Sequence, residues 1–372
     1  MHKVLILGGY GNFGKRIARM LTQQNISVII AGRDEGKARQ LLASLPHSLA
    51  EIAIFDVRQD LAYQLDGLKP TVVVNTCGPF QNSDYAIAQT CIAHGVHYID
   101  LADGRDFVTG ITSLDSEAKH HDVAVISGAS TVPGLSSAVI EHYLPAFSEM
   151  DSLEFGIAPG QKAERGLATT QAILSYVGKK LKPCAGYATR YGWQDLHLQH
   201  YPVIGRRWMA NCDIPDLDLL PAKYGIKTIR FSAGMESPLV HLGIWMLSWF
   251  VRAGMIADLP KYSAALLKAS NWFDFLGSAD GGMHMILSGK DHSGKALTKK
   301  WFIVALDGDG PYIPTIPAVI LAKKMIESDF HSRGAMACVG LVSLDEYLHE
   351  LRYLKVKTYE ESSIKACNNK FS

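Results

Sequence analysis

The sequence predicts an α/β protein in which a doubly wound parallel sheet is interrupted by a second, inserted domain of mixed α+β character. Three observations lead there. Through Ser127, short apolar runs alternate strictly with helix-length stretches. A burst of glycines follows the first run directly. After Pro145 the alternation stops, and several segments of alternating polarity begin.

The strands expected in the first part are Lys3–Leu7, Ser27–Ala31, Glu51–Phe55, Thr71–Asn75, His97–Leu101 and Val123–Ser127. Helices are expected at Gly14–Gln24, Asp34–Ser44 and Tyr85–His94. Strand and helix in alternation require parallel strands with crossover helices. The strands are nearly continuous Val, Ile and Leu, as befits a sheet covered on both faces. In the second part, Ser152–Ile157, Lys227–Ala233, Gly282–Ser288 and Thr298–Leu306 read as strands, the last two flanking a polar hairpin loop, "GKDHSGKA". Helices are expected at Gly166–Val177, Pro238–Met255 and Pro260–Leu276. "PYIPTIPAVILAKKMIES" then enters another helix, and "SLDEYLHELRYL" opens with a capping-box pattern. These runs place a first domain at 1–145 plus 311–372 and a substrate and dimerisation domain at 146–310. An inserted domain of this kind creates a cleft at the carboxyl edge of the sheet.

Composition narrows the function classes. A chain of 372 residues with 48% hydrophobic and 20% charged residues holds enough apolar material for two cores. A net charge of +1 and only short basic runs give no reason to expect nucleic acid as a partner. The six cysteines are scattered without a C-x-x-C pair, a pattern of reduced thiols that points to a cytoplasmic protein. The first strand begins at once, so no secretory leader is expected. No metal site is expected: His197 and His200 would share a helix face without an acidic or cysteine partner, and adjacent His120 and His121 cannot meet one ligand from a helix.

"LILGGYGNFGKRIARML" carries the strongest chemical signal. Gly9, Gly11 and Gly14 fit G-x-G-x-x-G between a strand and a helix, the dinucleotide loop of a Rossmann-type domain. The first glycine allows the tight turn, the second a close pyrophosphate, and the third helix-on-strand packing. Tyr10, Asn12 and Phe13 complete this cofactor-binding loop. The second strand ends in "AGRDEGKA". Where an NAD site wants a carboxylate, this chain has Gly32, with Arg33 next and Lys37 a turn later. A guanidinium there can hold a 2′-phosphate through a bidentate fork, so the expected cofactor is NADP(H). Asp56 and Val57 close the third strand where adenine should lie. Thr76, Cys77, Gly78 and Pro79 end the fourth strand and should line the nicotinamide half.

Hydride transfer asks the protein for orientation and for a proton donor or charge stabiliser near the reacting carbon. The catalytic candidates at strand ends are Asp103, Arg105 and Tyr85. Arg105 would hold a carboxylate substrate or neutralise Asp103 or Asp106.

The segments "GGYGNFGKRIAR", "AGRDEGKA", "NTCGPFQ", "CIAHGVHYIDLAD" and "ISGASTVPGLSS" resemble the saccharopine dehydrogenase/reductase-like family of NADP(H)-binding oxidoreductases. The resemblance covers the first 140 residues or so. It implies an NADP(H) Rossmann domain, a mixed α/β second domain, often a homodimer, and a C-terminal segment folded back onto the Rossmann domain. Many relatives carry an acidic "TGE" after the fifth strand, whereas this chain has "ADG", with Asp103 as the nearest carboxylate. Saccharopine is therefore not carried over as the substrate.

Two other readings compete. Glycines at 8, 11 and 14 also fit the spacing of extended short-chain dehydrogenases and epimerases, whose Tyr-x-x-x-Lys dyad would be Tyr176 and Lys180. The second is a non-catalytic NADPH-binding sensor or scaffold, since a fold does not fix a function. One segment raises a membrane question. Leu239–Ile256 is apolar but eighteen residues long, includes His241 and Arg252, and sits between two halves of one fold. A transmembrane role is rejected. Trp245, Met246, Trp249 and Phe250 are spread around the helix, so one face is expected to meet a second subunit, a membrane surface or an apolar substrate.

Overall fold

A computed structural model describes residues 2–46, 48–81 and 83–365. Residues 366–372, Cys367 among them, lie outside the described residues. From the N-terminus come β1 (Lys3–Leu7), α1 (Gly14–Gln23), β2 (Ser27–Gly32), α2 (Glu35–Leu42), β3 (Ala50–Ile54) and α3 (Val57–Leu68). Then follow β4 (Val72–Asn75), α4 (Ala86–Ala93), β5 (His97–Asp100), α5 (Arg105–Gly110), α6 (Asp115–His120) and β6 (Ala124–Ser127). The middle of the chain forms α7 (Ser136–Tyr143), β7 (Glu149–Ala158), α8 (Leu167–Tyr176), β8 (His197–Tyr201), β9 (Gly205–Asn211) and α9 (Asp216–Tyr224). It continues with β10 (Thr228–Met235), α10 (Pro238–Arg252), α11 (Ser263–Asn271), β11 (Gly281–Lys290) and β12 (Ala296–Ala305). The last elements are α12 (Ile316–Ile326), β13 (Gly334–Ala337), α13 (Leu344–Leu351) and β14 (Val356–Lys365).

The described residues divide into two compact units, 2–135 with 311–350 and 136–310 with 351–365. Two expected boundaries therefore move. The second unit begins at Ser136 rather than after Pro145, and residues from Leu351 on leave the first unit because β14 pairs with β12 along its whole length.

The first unit is an all-parallel sheet in the order β13-β6-β5-β4-β1-β2-β3. The order reverses between β1 and β4, and ligands of such sheets bind outside the carboxyl ends at that switch. Alternate strand residues point to opposite faces. Leu5, Leu7, Ile29, Val73 and Val125 pack with Leu61, Leu65 and Ile92 on one face. Against the sheet also lie α1 and α12. Ile316 to Ala322 of α12 are all buried, which explains that segment's apolar run. The seventh strand, β13, reads as "GAMA", too short and small to announce itself, and exists through its pairing with β6.

The second unit is a mixed sheet in the order β14-β12-β11-β7-β10-β9-β8, with β7 and β10 its parallel pair. The loop "GKDHSGKA" closes the β11–β12 hairpin, where the Asp291 carboxylate accepts the Ser293 and Lys295 N–H groups. The long helix expected at 260–276 is shorter: α11 covers nine residues, with 3-10 turns on either side. His197 and His200 lie on strand β8, not on a helix, so an odd separation turns them to opposite faces. Ser237 caps α10 by accepting the Val240 N–H, and Pro238 fits its first turn. This helix is unusual in what it buries. Its only buried residues are His241 and Ser248. Ile244, Trp245 and Val251 pack partly against Leu174 and Trp193. Met246, Trp249 and Phe250 are exposed. Among the described residues, no helix is long and apolar enough to cross a membrane.

Candidate cofactor and active site

The glycine loop takes its shape from three close backbone approaches. Gly8 has φ +71°, a left-handed conformation, and its carbonyl accepts the Gly11 N–H at 2.8 Å. A Cβ on Gly14 would lie 2.7 Å from Gly9 Cα and collide with the Gly8 carbonyl. A Cβ on Gly9 would lie 2.9 Å from both Ile30 Cγ2 and the Ile6 carbonyl. Phe13 opens α1 without a side-chain cap, and no acidic residue occupies the first turn. The helix start thus keeps N–H groups and a positive dipole end for an anion. Arg16, buried in the next turn, donates to the Asn12 carbonyl at 2.5 Å and to its side-chain oxygen, holding the loop's far side.

Beside this loop runs a groove of about 910 Å³ at the carboxyl edge of the sheet. Of the residues expected to hold a cofactor, it collects Tyr10, Arg33, Asp56, Val57, Cys77, Gly78 and Pro79. Arg33 is 80% exposed at its side chain, and its Nη1 stands 3.9 Å from the Asp56 carboxylate. Asp56 is occupied as the N-cap of α3, accepting the Arg58 N–H at 3.0 Å. Arg58 also lines the groove, a second cation at this end that the sequence reading did not single out. Lys37 departs from expectation. It is not among the lining residues, and its Nζ lies 3.3 Å from Asp34, the N-cap of α2.

The other half of the groove is tied down by Asn75. Its side-chain oxygen accepts the Cys77 N–H at 3.0 Å while its amide donates to the Tyr98 hydroxyl at 3.0 Å. Thr76 hydroxyl donates back to the Leu7 carbonyl at 2.7 Å, so it clamps β4 to β1 instead of facing the groove. The Gly78–Pro79 bond is cis. Cys77 reaches solvent, yet desolvation pushes its thiol up to about 11 against the opposing charges of Arg33 and Arg58, which favours the neutral thiol.

Of the catalytic candidates, Asp103 accepts from the Gln81 amide at 3.0 Å, and burial raises its carboxyl above the ordinary range. Arg105 is buried at the start of α5. Tyr85 donates its hydroxyl to the Phe107 carbonyl at 2.8 Å and packs on the Phe107 ring at 4.8 Å. Its pKa rises through burial first and then through Asp100 and Asp106. Tyr85, Asp103 and Arg105 all lie outside the groove lining, and Tyr85 braces α5 through the Phe107 carbonyl. The sequence reading passed over Asp100. It is fully buried, and one carboxylate oxygen accepts from Ala102 N, Gly128 N and Ser127 Oγ at 2.9–3.0 Å. That oxygen fixes the loops after β5 and β6 together, and the surroundings push the carboxyl up to about 6.

The Tyr-x-x-x-Lys alternative fails on geometry. Tyr176 ends α8 and lies 2.6 Å from Cys212 Sγ, whereas Lys180 sits beyond Gly178 in a bridge with Tyr191. The two are not one turn apart on a helix. Among the described residues no group of three or more His, Cys, Asp or Glu can hold a metal ion.

Residues 4–127 match the family model for the saccharopine dehydrogenase NADP binding domain. The N-terminal domain is of the saccharopine dehydrogenase NADP(H)-binding type. The capless helix start, the glycines without room for a Cβ and the cationic end of the groove fit that cofactor. No curated protein matches the chain significantly. Among solved structures, apo saccharopine dehydrogenase (L-Glu forming) from Saccharomyces cerevisiae is similar over 96% of this chain and 100% of its own, at 13% identity and a TM-score of 0.63. That likeness is one of fold, and it extends through the second unit. Serine dehydrogenase from Escherichia coli is similar over 34% of this chain and 80% of its own, at 18% identity and a TM-score of 0.27.

Proposed function

We propose that this protein is an NADP(H)-dependent oxidoreductase acting on a small molecule whose reacting carbon belongs to a carbonyl, an imine or an activated alkene. One observation carries the reading: the groove at the sheet's carboxyl edge presents Arg33 and Arg58 where an NAD domain would present a carboxylate. When bound there, the nicotinamide supplies or takes up the hydride. The chain's own residues bind and orient. Glycine-loop N–H groups hold the pyrophosphate, Arg33 holds the 2′-phosphate, and Asn75, Cys77, Gly78 and Pro79 line the nicotinamide half. We assign the proton-donor role to Asp103, which the Gln81 amide holds just past the carboxyl end of β5. Arg105 supplies a buried positive charge beside it in sequence.

The test is consumption of NADPH followed by absorbance against keto acids, imines and enoyl compounds, in both reaction directions. At least one class should accelerate loss of the reduced cofactor, and Asp103→Asn should slow that loss without weakening NADPH binding. Tight NADPH binding with no consumption by any class would overturn the reading in favour of a cofactor-binding protein without turnover.

A further inference from the structure

In dinucleotide domains the choice between NAD and NADP is made at the end of the second strand, where a carboxylate pairs with the free ribose hydroxyls. In this chain that seat is Gly32, the last residue of β2. The missing side chain does not leave open space. A Cβ built on Gly32 would lie 2.6 Å from Cζ and 2.7 Å from the hydroxyl oxygen of Tyr10, well inside van der Waals contact. Tyr10 comes from the middle of the glycine loop and lines the groove. Its hydroxyl accepts the Asp34 N–H at 2.9 Å. One ring therefore touches the residue before Arg33 and bonds to the residue after it. Asp34 offers no substitute carboxylate, because its side chain already accepts the Lys37 N–H at 3.0 Å as the cap of α2.

We propose that Tyr10 is the cofactor-selecting residue of this domain. Its ring occupies the space an acidic side chain at position 32 needs, and its hydroxyl pins the backbone that carries Arg33 to the 2′-phosphate. Arg33 supplies the attraction for NADP(H), and Tyr10 supplies the exclusion of the NAD solution. The inference rests on the NADP(H) reading of the groove but not on turnover. Its test reads binding, so failure to find a substrate leaves it standing.

The experiment titrates NADPH and NADH against wild type, Tyr10→Phe, Gly32→Asp and the double variant Y10S/G32D, using reduced-nicotinamide fluorescence, with circular dichroism melts as a check of folding. Wild type should prefer NADPH. Tyr10→Phe keeps the ring and loses the hydroxyl, so NADPH should weaken by about two- to tenfold while NADH stays within about twofold. Gly32→Asp alone should lose NADPH and gain nothing for NADH, because Tyr10 crowds the new carboxylate. Y10S/G32D frees the seat, and NADH should then bind at least about tenfold tighter than to Gly32→Asp. Should Gly32→Asp not fold, Tyr10→Ser replaces it as the reference for the double variant. Two results would overturn the proposal: NADH affinity that the double variant fails to raise, or an NADPH preference that Tyr10→Phe leaves intact. A wild type that binds neither nucleotide would instead remove the cofactor reading itself.

Discussion

Arg33 puts 80% of its side chain in solvent and leans on Asp56 only at 3.9 Å. Such a loose, screened pair contributes little to stability, so the guanidinium is free for a dianion. Arg33→Ala should leave the thermal midpoint almost unmoved. It should weaken NADPH about ten- to hundredfold, with NADH much less affected, as measured by the same nucleotide titrations. Equal losses for the two nucleotides would remove Arg33 from the 2′-phosphate. Asp100 is its opposite, a carboxyl with no solvent. Burial raises its pKa from 3.8 to about 6, so the neutral form is the one the fold prefers. The sign follows: the stability it gives is complete below about pH 4 and is lost as pH rises through about 6. The size is about 3 kcal/mol at most, since one pKa unit corresponds to about 1.4 kcal/mol. Asp100→Asn stays neutral throughout. The difference in melting temperature between variant and wild type should therefore shift in the variant's favour from about pH 4 to about pH 6. A difference that stays constant would mean Asp100 is ionised in the folded protein across that range. Asp100 was invisible in the sequence because "YIDLAD" offers two aspartates of equal standing. Only the folded loops show which one turns inward to three donors and which one meets Gln81.

At the scale of single elements, α10 inverts the usual pattern by burying its polar His241 and Ser248 and exposing Met246, Trp249 and Phe250. Trp193 explains part of this, since its indole N–H donates to the His241 carbonyl at 3.2 Å and its ring lies 5.1 Å from the imidazole. Met246→Asp should thus change the folding free energy of dilute protein by no more than about 0.5 kcal/mol. Ile244→Asp, on the face packed against Leu174 and Trp193, should cost about 2 kcal/mol or more in the same urea titration. Similar costs at both positions would show that the outer face is covered. Elements with a strong local signal were legible: β1 to β6 from their apolar runs, α1 from the glycines before it, and the β11–β12 hairpin from its polar loop. Elements made by their neighbours were not. The β8–β9 hairpin carries charged and polar residues without clear alternation, and β13 is four small residues that a parallel partner recruits. The cofactor loop was readable because backbone geometry restricts it to glycine. The role of Tyr10 was not, because nothing local says that its ring crosses to Gly32.

At the scale of the whole molecule, the two units share one chain that passes between them three times, after residues 135, 310 and 350. The first unit depends on α12, whose Ile316, Val319 and Leu321 are completely buried. Leu321→Ala should cost about 2–5 kcal/mol by leaving a cavity beneath the sheet. NADPH should restore part of the lost melting temperature, because a ligand that binds only the folded unit stabilises it. Removal of residues 355–372 takes β14 from β12 and should lower the second unit's melting transition while NADPH binding persists. Loss of nucleotide binding in that truncation would show that the units do not fold independently.

This interleaving also sets an order of events during synthesis. Strand β6 leaves the ribosome with one edge unpaired, and its partner β13 is made about two hundred residues later, roughly 10–40 s at translation rates of about 5–20 residues per second. Strand β12 waits in the same way for β14. Neither unit can be finished before the last part of the chain is made: the first sheet stays half-covered through most of translation, and the second until β14 is made. Shielding those sheets before completion falls to whatever meets the growing chain, and a premature stop between β12 and β13 spoils both units at once.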